Sequence, residues 1–153
     1  MIIERAKKSA QDENVPNCLF EVCKGEDMTE IYEGSFDIVF MMDVLHDLSD
    51  PDRVMASVKK VLKPGGYLIA IDPAMHSDHK DNVGNIAVGG YYFVSMFVCL
   101  PSSLTRDPKV GHGLGWGYEN RKSYIEKCGF RLRTLTEEED MNEMKNIIIG
   151  KMM

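Results

Sequence analysis

A chain of 153 residues with 44% hydrophobic and 27% charged side chains holds enough apolar matter for one packed domain and is too hydrophobic for a disordered one. Its net charge of −6 argues against nucleic-acid binding, which draws on a basic face to release counterions. Four cysteines, Cys18, Cys23, Cys99 and Cys128, with no CxxC among them suggest neither a disulfide framework nor a zinc centre; reduced thiols and a cytoplasmic setting are expected.

The opening MIIERAKKSAQ turns polar after three residues, so no signal-peptide core is expected. It reads as the tail of a helix that stops before the turn cluster Asn14-Val15-Pro16-Asn17. Leu19, Phe20, Val22 and Cys23 suggest a short strand over 18–24, followed by a short helix from Met28 to Tyr32. FDIVFMM at 36–42 is nearly continuous apolar sequence, the pattern of a strand buried on both faces of a parallel sheet. Asp50-Pro51 then supplies an N-cap and a first-turn proline. Val54, Met55, Val58, Val61 and Leu62 follow with helical spacing, and Lys63-Pro64-Gly65-Gly66 is a stop. Tyr67 to Ile71 is a second apolar strand, ending at Asp72-Pro73. The alternation is that of a βαβ unit and an α/β fold.

The region 74–117 breaks this rhythm. Its apolar run at 86–100 is shorter than the about 20 residues of a membrane span, so a buried helix and no membrane partner are expected. The glycine-rich GHGLGWG (111–117) follows. Tyr118 to Cys128 reads as a helix ended by Gly129, 130–135 as a half-exposed strand, TEEED at 136–140 as a solvated turn, and KNIIIGK at 145–151 as the last strand.

The order of these elements, the LKPGG turn before one strand and GFR before another resemble the class I SAM-dependent methyltransferase family. Its sheet runs 3-2-1-4-5-7-6 with strand 7 antiparallel. LHD after strand 4, DNVG (81–84) and GLGWG (113–117) are similar to winged-helix-linked bacterial-type methyltransferases, and VLHDLSD resembles small-molecule O-methyltransferases of plants. The resemblance implies an α/β, incomplete Rossmann-like sheet of family strands 3, 4, 5, 6 and 7 with helices on both faces. Strands 1 and 2 are absent. A single truncated domain would cover 1–153, with a substrate-side insertion at 74–117. The implied activity is methyl transfer to a small-molecule acceptor, with S-adenosyl-L-methionine as cofactor. A non-catalytic binding or regulatory partner is the alternative. The family's GxGxG loop and the acidic residue ending its strand 2 have no counterpart in this sequence. Removing strands 1 and 2 bares the edge of strand 4. Direct pairing of strand 3 with strand 4 is expected to fill it; a partner chain or second copy, or an incomplete product, are the other solutions.

The resemblance places cofactor contacts at Asp27, Met28, Met42 and Asp43. It makes His46 a candidate general base, since imidazole titrates near neutrality, with Asp47 or Asp72 to orient it. His112 and Trp116 in the glycine-rich loop, with Tyr92, are candidate acceptor contacts; an aromatic run is more often plain core. His76-x-x-His79 with Asp78 and Asp81 is weak metal spacing, and no metal ion is expected.

Overall fold

In this computed structural model the chain is described over residues 2–133, 141–142 and 145–153. The apolar FDIVFMM forms strand β1 (Phe36–Met42), which runs parallel to β2 (Leu62–Pro73). Between them lies helix α3 (Pro51–Val61), preceded in the chain by α1 (Ile2–Asp12) and α2 (Thr29–Tyr32). Asp50 caps α3 as its sequence predicts, its carboxylate accepting from the Arg53 N–H at 3.1 Å. Helix α6 (Tyr118–Lys127) precedes strand β3 (Phe130–Leu132), and two further strands, β4 (Met141–Asn142) and β5 (Lys145–Met152), close the chain.

The sheet order is β1-β2-β5-β3, with β4 also on β5 and β5 antiparallel to its neighbours. This is the 4-5-7-6 part of the expected order, with the antiparallel strand in its place. Gly150 on β5 lies where a Cβ would stand 2.9 Å from that of Phe130, so only glycine lets β3 close on β5 there.

Period-2 alternation sends Met41, Leu68, Ala70 and Ile148 to one side, where Val54, Met55 and Val58 of α3 and Ile125 of α6 bury them in the main core. Complete burial of a side chain such as Leu68 or Ile125 is worth about 1.5–3 kcal/mol. The opposite face carries Ile38, Phe40 and Met42, all exposed, beside the exposed Tyr67. β1 is therefore buried on one face only.

Burial of β1 on both faces is thus not seen, and three further expectations fail. Residues 18–24 form no strand: Leu19 and Val22 are exposed and nothing pairs with the outer edge of β1 among the described residues. The expected pairing of strand 3 with strand 4 is thus absent, because a lone segment of this length has no second apolar face to order it. The run at 86–100 is helical but not buried. It forms α4 (Ile86–Val94), a π turn (Ser95–Cys99) and α5 (Leu100–Ser103), one continuous helix of 18 residues that is long and apolar enough to cross a membrane by length and composition. Val88, Ser95, Cys99 and Ser103 face inward, while Phe93, Met96, Phe97 and Val98 are exposed. Finally, β2 begins at Leu62, so Lys63 to Gly66 stop the helix yet continue as strand. The last two residues of the strand expected at 130–135, and the TEEED run, lie outside the described residues.

Candidate active site

At the carboxyl end of β1 the chain turns sharply. Asp43 adopts φ +52°, unusual for a residue with a side chain, and its N–H still donates to Ile71 O at 2.8 Å. The turn drops Leu45–Asp47 into a single 3-10 turn whose Leu45 and His46 are buried. Leu45 anchors this turn in the main core, and that fixes where His46 sits.

His46 is only 2% exposed. Its Nδ1 is hydrogen-bonded to Asp72 Oδ1, an acid that ends the inward row Leu68, Ala70, Asp72 of β2. Asp72 in turn faces Arg121 of α6, whose guanidinium lies 3.7 Å away and donates to Pro73 O at 3.2 Å. Arg121 is itself buried, and burial holds its pKa below the ordinary value against the pull of Asp72. His46 Nε2 points the other way, to Asp47 Oδ1 at 3.3 Å. Asp72 therefore orients the ring, and Asp47, with a side chain 37% exposed, guards its free nitrogen. Both acids named as alternatives for orienting the ring contact it, Asp72 at Nδ1 and Asp47 at Nε2.

Arg121 escapes sequence analysis because YENRKSYIEK looks like a solvated helix. A positive residue facing a strand-ending acid leaves no local signature. Cys99, also unassigned, reaches the same cluster from the π turn. Burial, followed by the Asp47 carboxylate, pushes its thiol up to about 11.

The glycine-rich loop docks beside this turn. Gly113 N–H donates to His46 O at 3.1 Å and Val110 N–H to Ser49 O at 3.2 Å. Tyr118 N–H donates to Met75 O at 2.8 Å, and Gly117, at φ +74°, leaves no room for a Cβ beside the Ser77 backbone. His112 stacks on Trp116 with ring centres 3.7 Å apart, and Trp116 packs on Tyr124. Burial lowers the pKa of His112, only partly opposed by Asp52. The Tyr92 hydroxyl is tied to His79 Nδ1 at 2.7 Å and to Asn82 Nδ2 at 3.0 Å. Tyr92 packs with Met75, Val88, Cys99 and Leu114 in a second small core. Two of the three expected acceptor contacts, His112 and Trp116, thus engage each other, while Tyr92 engages other partners. His76 turns to Glu119 at 2.9 Å, away from His79's partner. Asn82 of DNVG is buried and bonds His76 through both backbone groups, which is what shapes that loop.

The four residues expected at the cofactor fall into two groups. Asp27 ends the turn Gly25–Asp27 against α3, and Met28 packs on the main core. Met42 faces the open side of the sheet, and Asp43 is paired with Lys145 at 2.7 Å. No hydrogen bond or ion pair joins the groups among the described residues. On the outer side of β1 no described strand or glycine turn brings backbone N–H groups to the sheet's carboxyl edge, where a ligand carboxylate would be held. These residues do not build a cradle for S-adenosyl-L-methionine.

A family described as "Methyltransferase domain" matches residues 1–97. The human thiol S-methyltransferase TMT1B is 37% identical over 62 residues, covering 40% of this chain and 25% of that protein. An O-methyltransferase family protein from Burkholderia thailandensis superposes with a TM-score of 0.69 at 16% identity, over 97% of this chain and 40% of that one. A SAM-dependent methyltransferase from Aquifex aeolicus gives 0.64 at 16%, over 99% of this chain and 63% of that one. The chain thus spans a quarter of that curated relative and about two fifths to three fifths of those structures.

Proposed function

This chain belongs to the methyltransferase domain family, and we propose that it contributes the acceptor side of methyl transfer to a small molecule. The cofactor of the family is S-adenosyl-L-methionine, which supplies the methyl group when bound; the described residues of this chain do not fit it. What carries the proposal is the buried His46–Asp72 contact at the carboxyl edge of β1 and β2, the edge at which open α/β sheets meet ligands.

Asp72 holds Nδ1, so Nε2 is the nitrogen left for a proton. An acceptor hydroxyl or thiol that displaces Asp47 would break its O–H or S–H bond and pass the proton to Nε2, leaving the acceptor atom as the nucleophile. The imidazolium so formed is held at Nδ1 by the Asp72 carboxylate, and Arg121 keeps Asp72 from becoming an excess buried charge. The remaining contribution is alignment. Trp116, His112 and Tyr92 shape the loop that borders the turn, and we assign them to acceptor binding through that loop.

The bare edge of β1 and the exposed Ile38, Phe40 and Met42 beside it support a second polypeptide surface there, from a partner or another copy of this chain. Four free cysteines support a cytoplasmic setting.

Calorimetry of the chain tests the division of labour. Phenol and thiophenol, as acceptor probes, are expected to give saturable heat that His46→Ala and Asp47→Lys alter. S-adenosylhomocysteine is expected to give none at millimolar concentration. Saturable cofactor heat, or no heat with either probe, would overturn the proposal.

A further inference from the structure

His46, Asp47 and Cys99 bring three different donor types to one point. Their ligand atoms all lie within 4.8 Å of one another. His46 and Cys99 are buried, and Asp47 Oδ1 is buried without a hydrogen-bond partner. An unpartnered buried carboxylate oxygen is costly, and it points at the nitrogen of a ring whose other nitrogen is fixed by Asp72. A carboxylate on the far imidazole nitrogen is the arrangement that orients metal-binding histidines. Cys99 arrives through a π turn, a local insertion that recurs at functional sites.

We propose that His46 Nε2, Asp47 Oδ1 and Cys99 Sγ form a site for a borderline divalent transition-metal ion, of the Zn2+ or Co2+ class. The nitrogen, oxygen and sulfur set disfavours Mg2+ and Ca2+, which take oxygen donors. The thiol proton leaves to solvent as the sulfur–metal bond forms, so one imidazole, one carboxylate and one thiolate neutralise the ion. A fourth position stays open on the solvent side, next to Asp47. Ligand atoms around a tetrahedral zinc are roughly 3.5 Å apart, so the cluster must close by about 1 Å, chiefly through the half-exposed Asp47. The ion would compete with an acceptor proton for Nε2. The site does not rest on methyl transfer.

Cobalt absorption tests it with no cofactor or acceptor present. One equivalent of Co2+ is expected to give thiolate-to-cobalt charge transfer in the near ultraviolet, with Zn2+ displacing it. Cys99→Ser should abolish the band. Asp47→Asn, which keeps the side-chain shape, should weaken affinity about 10-fold or more. Cys18→Ser/Cys23→Ser, which removes the exposed thiols, and His79→Ala should leave the band unchanged. No band in the folded wild-type chain would overturn the site. So would a band that is lost with Cys18 and Cys23, or one whose affinity Asp47→Asn leaves unchanged.

Discussion

Asp72 carries two partners at once, His46 on one side and Arg121 on the other. Removing a single member of a buried charged group leaves the others uncompensated, at about 3–5 kcal/mol. Asp72→Ala should therefore lower unfolding stability in urea by that amount, and adding Arg121→Met should recover part of it. Equal losses in single and double variants would show that the two do not interact. His112 gives a pH dependence. Burial lowers its pKa from the ordinary 6.5, so the folded state binds fewer protons than the unfolded one there. That contribution is fully present above 6.5 and is lost as pH falls through the folded value. His112→Phe, which keeps the stack on Trp116, should flatten the fall in melting temperature below this pH; an unchanged slope would assign it elsewhere. The contacts of His46 with Asp47 and Asp72 were legible through the family resemblance. Arg121 was not, because its partner is 49 positions away in the chain and only the fold joins them.

Among the elements, β1 states most clearly what apolar sequence can and cannot reveal. FDIVFMM identifies a strand, and the strand is there. The same run suggests cover on both faces, yet Phe36, Val39 and Met41 pack on the main core while Ile38, Phe40 and Met42 are exposed, Phe40 by 59%. Periodicity reports what a strand is able to bury, not what is present to bury it against. Leu68→Ala, inside the packed face, should cost about 2–5 kcal/mol. Phe40→Ala, on the open face, should stay within about 0.5 kcal/mol; a large loss there in dilute protein would mean that this face is covered. The segment 18–24 and the helix Ile86–Ser103 misled for a related reason. Both carry apolar residues in the right pattern, and neither finds an apolar surface on its outer side.

Over the whole molecule, the order β1-β2-β5-β3 with β5 antiparallel was legible only through the family resemblance, which the element order, LKPGG and GFR carry; the turn signals alone fix where strands begin and end, not which strands are neighbours. Among the described residues nothing pairs with the outer edge of β1, whereas His46 and Asp72 meet at the carboxyl edge of β1 and β2. The open edge of β1, the bare sheet face and the exposed Phe93, Met96 and Phe97 together predict association. Light scattering after gel filtration should show a mass that rises with protein concentration, and Phe40→Glu should reduce it; a concentration-independent monomer would contradict that expectation. His46, fixed by Asp72, is expected to meet the acceptor through Nε2. Ring resonances of His46, followed by NMR as thiophenol is added, test it most directly. A saturable shift at His46 that disappears when Asp72 is replaced by asparagine is the predicted result. A ring signal that thiophenol leaves unmoved, in a chain that binds thiophenol by calorimetry, would contradict it.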